Sequence, residues 1–136
     1  MNPIEFSIPY AAVPKQSFRY AGKGRRGFTS TRVSSNAELL ILASMPYRPS
    51  APITGPVMVD YTFSFEYRKQ DKLARKSGLV IPHFSRPDLG NLVKQMDDVL
   101  EAAGFFADDG QICEHPARKV RCPADGVRVV VRTVYS

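Results

Sequence analysis

The chain has 136 residues, 43% hydrophobic and 24% charged, which excludes a disordered polyelectrolyte and leaves material for one modest core. Nineteen Lys and Arg stand against 13 Asp and Glu, a formal charge of +6, which favours a polyanionic partner without requiring one. No stretch approaches the ~18 apolar residues of a membrane span, and Glu5 interrupts the N-terminal apolar run where a signal peptide would be basic and then apolar. The expectation is a cytoplasmic protein whose Cys113 and Cys122 stay reduced.

In chain order, Ile4, Phe6 and Ile8 alternate with polar neighbours and predict a strand closed by Pro9. Residues 11–33 are polar and basic, with Lys15, Arg19, Lys23, Arg25, Arg26 and Arg32, and read as a loop or irregular hairpin. Ser35 followed by Glu38 matches a capping box, so Leu39 to Met45 is expected as a short helix, ended by Pro46 and the prolines after it. Val57 to Tyr67 alternates cleanly and predicts the main strand, with Val57, Val59, Tyr61, Phe63, Phe65 and Tyr67 on the apolar face. That aromatic stripe is read as core or dimer interface. A second basic connection follows, carrying Arg68, Lys69, Lys72, Arg75 and Lys76. A helix is expected from Leu89 to Ala103, with Leu92, Met96, Val99, Leu100 and Ala103 inward and Gly104 as its stop. The tail reads as two strands joined by a turn at Pro123-Ala124-Asp125-Gly126. The sum is one α+β domain over residues 1–136, a mostly antiparallel or mixed sheet with two helices.

The acids are unevenly placed. Residues 85–114 hold seven acids (Asp88, Asp97, Asp98, Glu101, Asp108, Asp109, Glu114) and two bases, a net of −5, against +11 for the rest. An acidic island in a basic protein suits a hard divalent cation held against a phosphate backbone. It also suits a solvated helix face. Asp88 at a helix start is equally a capping residue, and Asp108-Asp109-Gly110 is equally a turn. Lys94 and Asp98 are spaced as a helical i,i+4 pair. Cys113, His115 and Cys122 fit no usual zinc spacing, and His83 reads as a loop histidine.

Taken together, Arg86-Pro87-Asp88-Leu89-Gly90-Asn91-Leu92-Val93-Lys94, then Asp98, Gly104 and Asp108-Asp109-Gly110-Gln111-Ile112, resemble the RusA endodeoxyribonuclease pattern. That pattern reads P-D-x-D-N-L-x-K, an aspartate four residues after the lysine, a glycine, and D-D-x-Q-[IV]. The segment Val13-Pro14-Lys15-Gln16-Ser17-Phe18-Arg19 resembles the family's N-terminal signature, P-x-P-K-x-R-x-R-F.

The resemblance implies a RusA-like fold and a homodimeric, Mg²⁺-dependent enzyme (with Mn²⁺ as a substitute) that resolves four-way DNA junctions in recombination or repair. Such enzymes are often encoded by phages and prophages. It implies that Asp88 and Asp109 bind metal around one or two ions, that Asp108 is a further metal candidate, and that Lys94 is catalytic. Asp98 and Asn91 become supporting residues. Lys15, Arg19, Lys23, Arg25, Arg26, Lys69, Lys72, Arg75 and Lys76 become the DNA-binding set. One departure stands out: the second aspartate of P-D-x-D-N falls on Gly90, so one carboxylate of the usual trio is absent. A substitute is then needed (Asp108, or more remotely His83), or the chain binds branched DNA with weak or no cutting.

Overall fold

A computed structural model describes residues 2–14 and 31–135. The elements in order are β1 (Ile4–Ile8), α1 (Thr31–Ser44), β2 (Val57–Glu66), α2 (Lys72–Ser77), β3 (Ile81–Pro82), α3 (Leu89–Ala103), β4 (Ile112–Glu114), β5 (Ala117–Cys122) and β6 (Gly126–Thr133). Single 3-10 turns at Met45–Tyr47 and Asp109–Gln111 join them. The expected α+β class holds, with a mixed six-stranded sheet and a third, short helix on the basic connection. Lys15, Arg19, Lys23, Arg25 and Arg26 lie outside the described residues.

β2 is the axis of the sheet. Its ten residues pair antiparallel with β6 on one side and parallel with β5 and β4 on the other, and β1 and β3 complete the order β1-β6-β2-β5-β3. The tail forms the two expected strands joined at Pro123–Gly126. β5 and β6 flank β2 instead of pairing, and the Pro123–Gly126 turn crosses the end of β2, where Asp125 accepts a hydrogen bond from the Glu66 backbone N–H at 2.8 Å. Gly126 is obligatory in this crossing: a Cβ there would sit 2.8 Å from the Ile8 carbonyl oxygen.

One face of the sheet, with Phe6, Ile8, Val57, Val59, Tyr61, Phe63, Val127, Val129 and Val131, packs on α1 and α3. All five inward residues expected on α3 are buried, and Gly104 ends that helix at φ 95°, the left-handed geometry that releases the last carbonyls to the Gly104 and Phe105 amides. Burying each large apolar side chain of this face contributes about 1.5–3 kcal/mol. The first helix differs from expectation. It begins at Thr31, so Ser35 lies within it and caps nothing, and it ends at Ser44. Ser44 is buried and returns its hydroxyl to the Leu40 carbonyl at 2.8 Å. None of the helices is long and apolar enough to cross a membrane among the described residues.

Candidate functional site

The amphipathic α3 positions the site. Its apolar residues face the sheet, which leaves Gly90, Lys94, Asp98 and Glu101 (spaced i, i+4, i+8, i+11) exposed on the other side. Beyond Gly104 the chain folds back past this helix, buries Phe105 and Phe106, and enters the Asp109–Gln111 turn. Glu101 Oε1 accepts the Asp109 backbone N–H at 3.0 Å. Glu101, Asp108 and Asp109 thus converge, all exposed, with one oxygen of each within 4.8 Å of the others.

Gln111 holds that turn in place with every hydrogen-bonding valence of its amide. Its Oε1 accepts from the Ala107 and Asp108 backbone N–H groups at 2.9 and 3.1 Å, while its Nε2 donates to the Ile53 and Gly55 carbonyls at 2.8 and 2.9 Å. Asp108 closes a capping box with Gln111 and accepts from Gly110 N at 3.1 Å. The turn and metal readings of Asp108 are therefore compatible. A hydrogen bond between the Asp109 and Asp108 carboxyls, then partial desolvation and the charges of Asp108, Glu101 and Asp97, hold Asp109 above the usual aspartate value. Acids crowded this way repel one another until a cation joins them. An all-oxygen donor set suits a hard ion such as Mg²⁺, so the residues present fit one.

Asp88 stands elsewhere. It occupies the N-cap of α3 without making a capping hydrogen bond, and its carboxylate lies 4.0 Å from Arg86. The expected meeting of Asp88 with Asp109 does not occur within one chain, because the 15-residue helix between them separates Asp88 from Glu101 by about 20 Å. Lys94 and Asp98 are exposed and Asn91 half-buried; among the described residues Lys94 and Asp98 form no ion pair. Lys69, Lys72, Arg75 and Lys76 are exposed on and before α2. Within this segment Asp71 is taken up by Arg68 at 3.2 Å and Arg121 at 3.9 Å, and the Arg68 hydrogen bonds hold its carboxyl below the usual range. That leaves the exposed cations around it without a competing acid.

Sequence reasoning missed two features. Glu101 was counted among the acids but not as a candidate ligand; the signal was Gly104, which reverses the chain so that Asp109 returns to the last turns of α3. The second is a half-buried network in which Asp97 accepts from Tyr61 Oη at 2.7 Å and His115 Nε2 at 2.8 Å, while His115 Nδ1 faces the Val59 carbonyl at 2.9 Å. Both ring nitrogens of His115 face acceptors, a geometry only the imidazolium satisfies. The Asp97 hydrogen bond accordingly raises its pKa. Burial, then the charge and hydrogen bond of Asp97, push the Tyr61 hydroxyl well above 10, so it remains a donor. His115 is thereby committed to the fold and not to zinc. Cys113 and Cys122 are free thiols that turn to the Val57 and Ala124 carbonyls.

His83 lies in the loop after β3, as expected, but is buried there, 5% exposed and packed edge-on against Phe65 with ring centroids 4.9 Å apart. Burial and then the charges of Arg121, Lys119 and Arg68 lower its pKa to about 4. Its folded value lies below its unfolded one, so its contribution is present above about pH 6.5 and is lost as pH falls towards 4. Urea midpoints are expected to drop over that window by the equivalent of on the order of 2 to 3 kcal/mol, and less steeply in His83→Phe. His115 has the opposite sign: its raised folded value makes its contribution complete below about pH 6.5 and lost as pH rises through that value.

The comparisons with known proteins agree with the motif. The profile of the Endodeoxyribonuclease RusA family matches residues 9–132. A crossover junction endodeoxyribonuclease RusA from Aquifex aeolicus (strain VF5) is 25% identical over 138 residues, covering 100% of this chain and 96% of that protein. With the P-D-x-x-N-L-x-K helix, its glycine stop and the D-D-x-Q-I turn placed on this fold, the chain belongs to the RusA endodeoxyribonuclease family.

Proposed function

We propose that the chain is a divalent-metal-dependent endodeoxyribonuclease that resolves four-way DNA junctions by paired, symmetric phosphodiester cleavage, with residues 1–136 forming one nuclease domain. The observation that carries this reading is the convergence of Glu101, Asp108 and Asp109 at the end of the family's signature helix. These carboxylates would hold Mg²⁺, or Mn²⁺ in its place, and the bound ion would neutralise phosphate charge and acidify a water.

The chain's own residues do the rest. Gln111 fixes the turn that presents Asp108 and Asp109. Lys94, on the same stripe as Glu101, adds a positive charge for the scissile phosphate or leaving oxygen, and Asp98 and Asn91 support that face. Lys69, Lys72, Arg75 and Lys76 on one side, and Lys15, Arg19, Lys23, Arg25 and Arg26 in the N-terminal basic segment, carry the duplex arms through sequence-independent phosphate contacts.

Asp88 enters through a homodimer. In a two-fold interface residue i meets j while j meets i. Two copies laying α3 against α3 in opposite directions would bring Asp88 of each to the Glu101–Asp108–Asp109 end of the other. Two such sites supply the two related nicks that a junction requires.

A second reading, a branched-DNA-binding protein that cuts weakly or not at all, is favoured by Gly90, where the family pattern has an aspartate. A labelled synthetic four-way junction with Mg²⁺ or Mn²⁺ separates the two. Symmetrically paired nicks are expected; tight binding without nicks supports the second reading. Equal affinity for linear duplex and junction, indifferent to metal, would sink both.

A further inference from the structure

The loop that leads into α3 holds one side chain that the acidic turn and the basic helix leave unused. Phe84 is 85% exposed. Its backbone surroundings are nonetheless firmly held. The His83 backbone N–H donates to the Lys119 carbonyl at 3.2 Å, and the Ser85 N–H donates to His83 Nδ1 at 3.3 Å. Lys119 Nζ donates to the Pro87 carbonyl at 2.7 Å and also to that of Ser85. With His83 buried on one side and Pro87 tied down on the other, the backbone around Phe84 is fixed, and the ring stands in water at a hydrophobic cost.

Its surroundings indicate an occupant. Arg86, two residues on, has an exposed guanidinium, the exposed cations of α2 precede it in the chain, and Asp88 is four residues ahead. The acid of this segment, Asp71, is consumed by Arg68 and Arg121. Arg86 is balanced within the loop by Asp88 at 4.0 Å. A two-fold contact centred here would still set the cations of the preceding α2 segment towards their own copies, which disfavours a second copy of the chain as the cover. A flat apolar ring among cations suits a nucleobase: the ring stacks on the base while the cations meet its phosphates.

We propose that Phe84 stacks on a nucleobase at the branch point of the DNA and so sets the preference for branched over linear duplex. In continuous duplex every base is already stacked on its neighbours, and the ring must first part a base step. At a crossover the stack is already interrupted, so the same contact comes without that cost. This inference rests on the branched-DNA reading above.

The test compares wild type, Phe84→Ala and Phe84→Trp on a four-way junction and on linear duplex of the same length, with 2-aminopurine at the crossover. Phe84→Ala removes an exposed side chain and leaves no cavity. It is expected to weaken junction binding about tenfold, to leave duplex binding unchanged and to abolish the wild-type change in 2-aminopurine emission, while Phe84→Trp retains both. Equal junction affinity for wild type and Phe84→Ala, or equal losses on junction and duplex, overturns the proposal and leaves the nuclease reading intact. Conversion of a dimer to a monomer by Phe84→Ala also overturns it, by assigning the ring to contact between copies. A wild-type chain that binds no branched DNA removes the nuclease reading and this one together.

Discussion

Asp109→Asn is expected to lower junction cleavage by at least about 100-fold, the upper range for residues that only support metal ligands and hence a floor for a ligand itself. Binding of the junction should persist, because phosphate contacts made elsewhere supply most of the affinity. The stability effect should have the opposite sign. Asp109 is crowded by Asp108, Glu101 and Asp97, and an amide relieves that repulsion, so the metal-free variant should melt at or slightly above wild type. Adding Mg²⁺ should raise the melting temperature of wild type and leave that of Asp109→Asn unmoved, because an ion that binds the native state stabilises it by mass action. A variant that cuts as fast as wild type, or whose melting temperature still climbs with Mg²⁺, removes Asp109 from the metal site.

Gly90→Asp is expected to raise cleavage by one to two orders of magnitude, about the effect of restoring one group to a metal's surroundings. The site accepts the side chain. A Cβ at Gly90 meets nothing within 4 Å, and Gly90 lies in the first turn of α3, outside the left-handed region. Local energetics also favour the change: replacing an exposed helical glycine and placing an acid by the helix N-terminus each contribute up to about 1 kcal/mol, partly offset by repulsion from Asp88. Cleavage assays and urea melts on the same preparation separate the outcomes. A more stable protein with unchanged cleavage would show that the missing carboxylate does not limit activity. Faster cleavage would identify Gly90 as the position where this chain departs from full nuclease competence.

Much of this architecture could be read along the chain. α3 was legible to the residue because its period, its apolar stripe and its glycine stop all point the same way. β2 was legible because clean alternation over ten residues has no helical interpretation. The start of α1 was not, since Thr31 to Ser35 lacks an apolar stripe and the Ser35–Glu38 pattern marks a boundary that falls inside the helix. The partner of the last two strands was hidden for a different reason. Pro-Ala-Asp-Gly specifies that the chain reverses but not which strand receives it, and the long β2 offered a ladder on each edge. At the site, Asp108 and Asp109 were visible as adjacent acids, whereas Glu101 joins them only through the fold-back after Gly104. The Tyr61–Asp97–His115 network joins β2, α3 and the link between β4 and β5, and leaves no local trace.

The outer rows of the sheet bear on how two copies can meet. One border, β1, is five residues long and framed by Pro3 and Pro9; the other, β3, is two residues long and one of them is Pro82. Prolines present no amide hydrogen, so β3 offers no run of donors and the ladder that β1 offers a visiting strand ends within five residues. Self-association by lengthening the ladder has only short edges to work with. The same borders give fibrous stacking little to extend, and in the proposed dimer they would leave helix and loop side chains to make the contact.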